Sequence, residues 1–178
     1  LVAIATNNGA AIWESTVALP KGATELERVA DVASSAVAAG REVCAAAYQG
    51  RVTCFDLASG NALWSRDLSS RAGIDVDGRH VYVSDDKGIV HALDRNSGSS
   101  IWKQDKLANR RLSRPVAVGS LVAVADFEGM VHFLRADGGN LVPRQRTAGS
   151  EVLAEPQRLA GGLVVQTRKG GIYALGAN

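Results

Sequence analysis

The sequence predicts an all-β fold, a β-propeller of four-stranded antiparallel blades, and three observations carry that prediction. A unit of about 40 residues recurs along the 178-residue chain. Each unit is a succession of short apolar runs separated by glycine-bearing turns. No window carries the apolar period of a long helix. Self-similarity at such a period is the mark of repeat architectures, and four strands per unit of about 40 residues is the arithmetic of a propeller blade.

The repeat is read from four aligned segments: QGRVTCFDLASGNALW (49–64), KGIVHALDRNSGSSIW (87–102), EGMVHFLRADGGNLVP (128–143) and KGGIYALG (169–176). The opening NNGAAIW (7–13) matches the tail of the same unit. The leading glycines Gly50, Gly88, Gly129 and Gly170 are spaced 38, 41 and 41 residues apart. The second set, Gly9, Gly60, Gly98 and Gly139, is spaced 51, 38 and 41. Within a unit, an apolar run such as HVYVS, LVAVA or LVVQT leads to a polar turn ending in Gly. A second strand such as IVHAL follows, then a turn of the form D-x-x-x-G or D-G-G, then a strand ending in Trp. A further short strand precedes these, as in SRPVAVG. Glycine at the turns supplies the positive φ that tight hairpins need.

The strands are apolar on both faces, which fits sheets packed between two neighbours. Trp13, Trp64 and Trp102 share one repeat position and are expected to pack blade against blade. Pro143 takes that position in the fourth unit, so its outer strand is expected to be frayed or edge-like. Asp56 and Asp94 share a turn position and are expected to bond turn backbone. His91 and His132 also share a position, and a site residue should break the repeat, so both read as structural.

The expected segmentation is one partial propeller over 1–178: the end of one blade (1–17), an insert loop (18–33), blades at 34–68, 71–107 and 110–147, and a last blade lacking its outer strand (150–176). The count comes to about four blade equivalents of an eight-bladed ring. The chain opens inside a repeat, so it reads as a fragment whose upstream part lies outside it. Such a piece is an open arc, a strained four-blade ring or a dimer completing eight blades.

Composition narrows the function. A net charge of +2 gives no basic field for nucleic acid, and the Arg110/Arg111 and Arg144/Arg146 pairs read as solvated loop charges. No run reaches the ~18 apolar residues of a membrane span. Cys44 and Cys54 form no CxxC or Cys/His cluster, so no metal site is expected. They flank one hairpin. A three-residue turn puts them opposite each other and a two-residue turn puts them on opposite faces, so a disulfide is one of two outcomes. The excess of about a dozen residues between Gly9 and Gly60 contains GATELERVADV (22–32), with Glu25, Glu27, Arg28 and Asp31. A loop added to a regular scaffold is where function is carried.

The pattern G-x-[VI]-[YH]-A-L-D-x-x-[ST]-G-x-x-x-W resembles the repeat of the pyrroloquinoline-quinone-like propellers, and KGIVHALDRNSGSSIW is its cleanest copy. The order TELERVADV, AYQGRVTCFDLASGNALW, DVDGRHVYVSDDKG, LSRPVAVGSLVAVADFEGMVHFL and KGGIYAL resembles the C-terminal half of the BamB family of outer-membrane assembly lipoproteins. That resemblance implies an eight-bladed, non-enzymatic scaffold without cofactor at the periplasmic face of the Gram-negative outer membrane. It implies a lipid anchor upstream of this chain and POTRA domains of BamA as partner. The family's acidic D-V-D contact motif falls on Asp31, Val32 and Ala33, so Asp31 matches the first acid and Ala33 replaces the second. Arg28, Glu25 and Glu27 would flank or orient that contact, and Leu26 or Val29 would either anchor the partner or pin the loop to the ring. A second family contact, a leucine and arginine loop, would lie upstream of residue 1. Two alternatives remain at this point. A quinoprotein dehydrogenase would need a complete ring, calcium and a catalytic carboxylate, often with adjacent cysteines or CxxCH, and neither cysteine motif is present. A peptide-binding propeller would offer an edge strand to unfolded outer-membrane proteins.

Overall fold

The computed structural model describes residues 1–19, 30–152 and 154–176. Every regular element among them is a β-strand. Strands β1 (Val2–Ile4) and β2 (Ala11–Glu14) form a two-stranded sheet. Three four-stranded antiparallel sheets follow. The first is β3 (Val37–Ala39), β4 (Glu42–Ala46), β5 (Arg51–Asp56) and β6 (Ala62–Asp67). The second is β7 (Gly73–Val76), β8 (His80–Ser84), β9 (Val90–Asp94) and β10 (Ser100–Gln104). The third is β11 (Val116–Val118), β12 (Leu121–Ala125), β13 (Met130–Arg135) and β14 (Leu141–Arg146). A three-stranded sheet of β15 (Gln157–Leu159), β16 (Gly162–Gln166) and β17 (Ile172–Gly176) closes the described chain. The first strands of the units meet one another: β7 lies against β3 and β11, and β11 against β15. These are the inner strands of propeller blades.

Each blade is apolar on both faces because each face meets a different neighbour. On the first four-stranded blade, Val43, Ala45, Ala47 and Phe55 pack toward Val17 and Trp13. The alternate residues Cys44, Ala46, Val52 and Cys54 pack toward Ile74, Val81 and Val83 of the next blade. The same alternation recurs between the later pairs. The core is therefore a series of inter-blade layers.

The tryptophans fasten the layers. Trp13, Trp64 and Trp102 donate their indole N–H to the carbonyls of Leu57, Arg95 and Ala136 at 3.0, 2.7 and 2.9 Å. Each ring lies on the glycine three residues beyond its acceptor, in the next blade. A Cβ added at Gly60, Gly98 or Gly139 would stand 2.5, 2.4 or 2.5 Å from the ring. Two residues after each Trp, the side chains of Ser15, Arg66 and Gln104 bond the carbonyls of those same glycines. Blade-to-blade packing, expected for the tryptophans, is what the structure shows.

Of the two outcomes expected at Pro143, the strand is edge-like and not frayed. Strand β14 is an edge strand, yet it is six residues long and paired along its length. In the earlier units the extra residue of a β-bulge falls just before Trp, at Ile12, Leu63 and Ile101. In β14 the bulge shifts past Val142, which pairs with Phe133. Pro143 thus sits in the bulge, where its missing N–H breaks no ladder bond.

The turn acids cap backbone as expected. Asp56 Oδ1 accepts from the N–H groups of Ala58 and Ser59 and from the Ser59 hydroxyl, and Asp94 repeats this with Asn96 and Ser97. These bonds, led by the serine hydroxyl, hold both carboxyls below their ordinary range. His91 and His132 bond the turn acids Asp85 and Asp126 at 3.0 and 2.8 Å. Those acids also cap their own turns through the N–H groups of Lys87 and Ile89, and of Glu128 and Met130.

Candidate docking face

Antiparallel alternation decides which segments share an end of the molecule. Turns joining the second and third strands of a blade lie at the same end as connectors between blades. The insert is such a connector, so its contacts reveal the end on which it sits. Asp31 forms an isolated antiparallel bridge with Tyr48: Tyr48 N–H donates to Asp31 O at 2.7 Å and Asp31 N–H to Tyr48 O at 3.4 Å. Asp31 and Val32 are both solvent-exposed. The bridge fixes the loop's exit against the turn of the next blade and leaves the Asp31 carboxylate outward. Glu25, Glu27 and Arg28 lie outside the described residues.

The neighbouring connectors are tied down in the same way. Gln49 N–H donates to Ser69 Oγ at 2.8 Å. Asp86 accepts from Ser69 and from the N–H of Arg71. Asn109 N–H donates to Lys87 O, and Arg168 N–H to Glu151 O. Two arginines lie over turn aromatics: the Arg71 guanidinium carbon is 4.2 Å from the Tyr48 ring centroid, and that of Arg111 5.2 Å from the Phe127 centroid.

These segments surround a cavity of about 490 Å³. It begins at Ala33 and Ser34, directly after Asp31 and Val32, and its wall includes Arg71, Asp86, Arg111 and Glu151. At its base a charge network joins all four inner segments. Asp75, on β7 and 4% exposed, accepts from the Ala117 N–H and from Arg158, both at 2.7 Å. Arg114 bonds Ile74 O at 2.7 Å and Glu155 at 2.9 Å and lies 3.4 Å from Asp75. Glu155 also accepts from the N–H of Ser35 at 3.2 Å. Burial alone would raise the Glu155 carboxyl, but the Ser35 N–H and Arg114 outweigh it and hold it below its ordinary range. A buried acid with two cationic partners and a backbone donor is compensated rather than stranded.

Cys44 and Cys54 stand directly opposite on β4 and β5, with Cα atoms 4.0 Å apart and the sulfurs joined as a disulfide. Ala47 N–H bonds Arg51 O, so residues 44 and 54 form a non-hydrogen-bonded pair, the closer of the two antiparallel types. Among the described residues, no group of three or more His, Cys, Asp or Glu is placed to hold a metal ion.

Sequence reasoning found Asp31 but not Tyr48, Arg71, Phe127 or Arg111. A signal existed. The second position of the same turn, two residues before its glycine, reads Tyr48, Asp86, Phe127 and Arg168 in successive units, so the repeat breaks there while its framework is kept.

The chain matches, over residues 1–104, the family model of outer membrane protein assembly factor BamB. It is 44% identical to the protein of that name from Bordetella pertussis, covering 100% of this chain and 46% of that one. With the namesake from Nitrosomonas eutropha it shares 43% identity over 98% of this chain and 43% of that one. Its fold superposes on the crystal structure of BamB from Moraxella catarrhalis with a TM-score of 0.89 at 28% identity, covering 97% of this chain and 51% of that one. The chain spans about half the length, or slightly less, of these relatives. By repeat, blade geometry and similarity along the whole of the 178 residues, it belongs to the BamB family of outer membrane protein assembly factors.

Proposed function

We propose that this chain is the C-terminal half of a non-enzymatic scaffold that binds the POTRA region of BamA and aids insertion of outer-membrane proteins. It acts at the periplasmic face of the outer membrane, held there by a lipid anchor upstream. The relatives' shared name, outer membrane protein assembly factor, supports the setting. One observation carries the docking assignment: Asp31 is exposed at the exit of the insert while its backbone is fixed to Tyr48. A carboxylate on a backbone pinned in this way is presented to a cationic partner at reduced entropic cost. Glu25, Glu27, Arg28 and Val32 complete the contact in this reading. With Ala33 in place of a second acid, Asp31 supplies the charge of the motif alone.

The test is titration of the purified POTRA region against the wild-type protein and Asp31→Arg. Charge reversal at a central contact is expected to weaken binding by about 2 kcal/mol or more, roughly thirtyfold. The backbone bridge and thermal midpoint should be unchanged, because the side chain is exposed. Equal affinities would remove Asp31 from the interface.

A further inference from the structure

At the mouth beside Asp31, the acids are largely engaged within the chain and two cations are not. Asp85 holds His91 and its own turn, Asp86 holds Ser69 and the Arg71 N–H, and Glu155 holds Arg114 and Ser35. Arg114 is spent on Ile74 O, Asp75 and Glu155. The Arg71 guanidinium has only its cation–π contact with Tyr48 among the described residues. Arg111 reaches Glu151 only at 3.9 Å, and its side chain is 71% exposed. A guanidinium held over a ring by cation–π attraction still has N–H donors to offer, and its fork matches a carboxylate.

Backbone geometry marks the same end of the molecule. The non-glycine residues with positive φ among the described residues are Gln49 (50°), Asn109 (64°) and Arg111 (46°), and all three lie in its turns and connectors. Left-handed backbone at non-glycine residues persists where surrounding structure enforces it, and such residues cluster at binding sites. Tyr48 and Phe127, the two cation–π platforms, also occupy the turn position at which the repeat breaks.

We infer that Arg71 and Arg111 form a second recognition element, which takes the carboxylates of an acidic polypeptide segment entering this mouth. An extended segment suits a concave cavity of about 490 Å³ better than a flat surface does. The acids Asp31, Asp86, Glu128 and Glu151 at the same end disfavour an anionic bilayer. A flexible acidic chain, unlike a bilayer, can seat carboxylates on the two arginines and hold its remaining charges clear of those acids. Only the identity of the partner rests on the POTRA reading; the chemistry is tested without it.

The test uses fluorescein-labelled deca-glutamate, read by anisotropy at low salt, with deca-lysine as control. Wild type is expected to bind deca-glutamate and not deca-lysine, with affinity falling as salt rises. The Arg71→Gln/Arg111→Gln double variant should bind at least about tenfold more weakly at an unchanged melting temperature. The inference is overturned if the double variant binds like wild type, if wild type ignores deca-glutamate, or if phosphatidylglycerol vesicles capture wild type better than the peptide does. A parallel titration with the POTRA region separates the two readings. Loss on Asp31→Arg with no change in the double variant overturns this inference and leaves the docking loop standing. Loss in the double variant with no change on Asp31→Arg does the reverse.

Discussion

Gly98→Ala tests the joint that holds one blade to the next. Gly98 has φ +69°, and a Cβ there would stand 2.4 Å from the Trp64 ring. Two costs combine. Left-handed backbone costs an L-residue about 1–2 kcal/mol. Forcing a methyl group into a packed ring contact costs about 1–3 kcal/mol more. The ring cannot easily retreat, because its N–H is bonded to Arg95 O at 2.7 Å and Trp64 is itself buried. The expected total is about 3 kcal/mol. Gly119→Ala is the control: φ is +58° but nothing lies within 4 Å of the added Cβ, so only the backbone cost of about 1 kcal/mol remains. Urea unfolding followed by circular dichroism gives both values at a shared slope. The excess at Gly98 should shrink when Trp64 is truncated to Leu in the same molecule, since that coupling is the contact itself. If the two alanine variants agree within about 0.5 kcal/mol, within the usual error of additive sites, the docking argument is wrong.

Other predictions follow from the buried charges and the cysteines. Thiol titration of the unreduced protein in denaturant should find no reactive thiol. Replacing both cysteines with alanine should cost about 3 kcal/mol, the value for closing a loop of this length, whereas free thiols in the unreduced protein would refute the bridge. Burial alone would raise the Asp126 carboxyl, but bonds from His132, the Met130 N–H and Arg110 outweigh it and hold it at about 2, against an ordinary 3.8. A depressed folded pKa stabilises above the unfolded value and is lost as pH falls. Acid titration from pH 5 to 2 should therefore remove about 2 kcal/mol that Asp126→Asn no longer loses. Asp75→Ala leaves the buried Ala117 N–H without its acceptor and takes a carboxylate from Arg158 and Arg114, and should cost about 3 kcal/mol in urea unfolding. Arg158→Gln should cost less, because that side chain is 52% exposed and can rehydrate.

The legible part of the fold was what the repeat enforces. Glycine spacing located the turns, the apolar runs located strands buried on both faces, and the recurring tryptophans announced the blade contact. At Pro143 the sequence left fraying and an edge position both open, because the bulge in which it sits is invisible to alignment. The register of a β-ladder depends on both strands, and only Val142 opposite Phe133 reveals the shift. The axial network was illegible for a different reason. Ser35, Arg114 and Glu155 share one repeat position with Gly73, but the residue type changes in every unit, Asp75 and Arg158 lie outside that position, and Ser35 and Glu155 are 120 residues apart. Each looks like an ordinary surface residue until the inner strands converge.

The candidate site sits between these cases, and the reason is physical. A propeller repeats whatever its blades need to pack, so residues serving the scaffold recur and residues serving a partner have no cause to. Asp56 and Asp94 recur and cap turns; His91 and His132 recur and brace them. Asp31 ends the insert at the position held by Ser69, Arg110 and Glu151 in the other units, so its backbone bond recurs while its side chain does not, and Tyr48 and Phe127 stand where Asp86 and Arg168 stand elsewhere. These departures gather at one end because blade connectors and middle turns emerge there together. The inner strands then bring that end to a single mouth. A partner reading this end meets four differently decorated turns at fixed spacing, and the tryptophan joints and axial charges keep that spacing rigid. Loosening a joint should therefore weaken docking without touching a contact residue. In the proposed docking, Gly98→Ala should lower affinity for the POTRA region, while Gly119→Ala, with nothing within 4 Å of its added Cβ, should not.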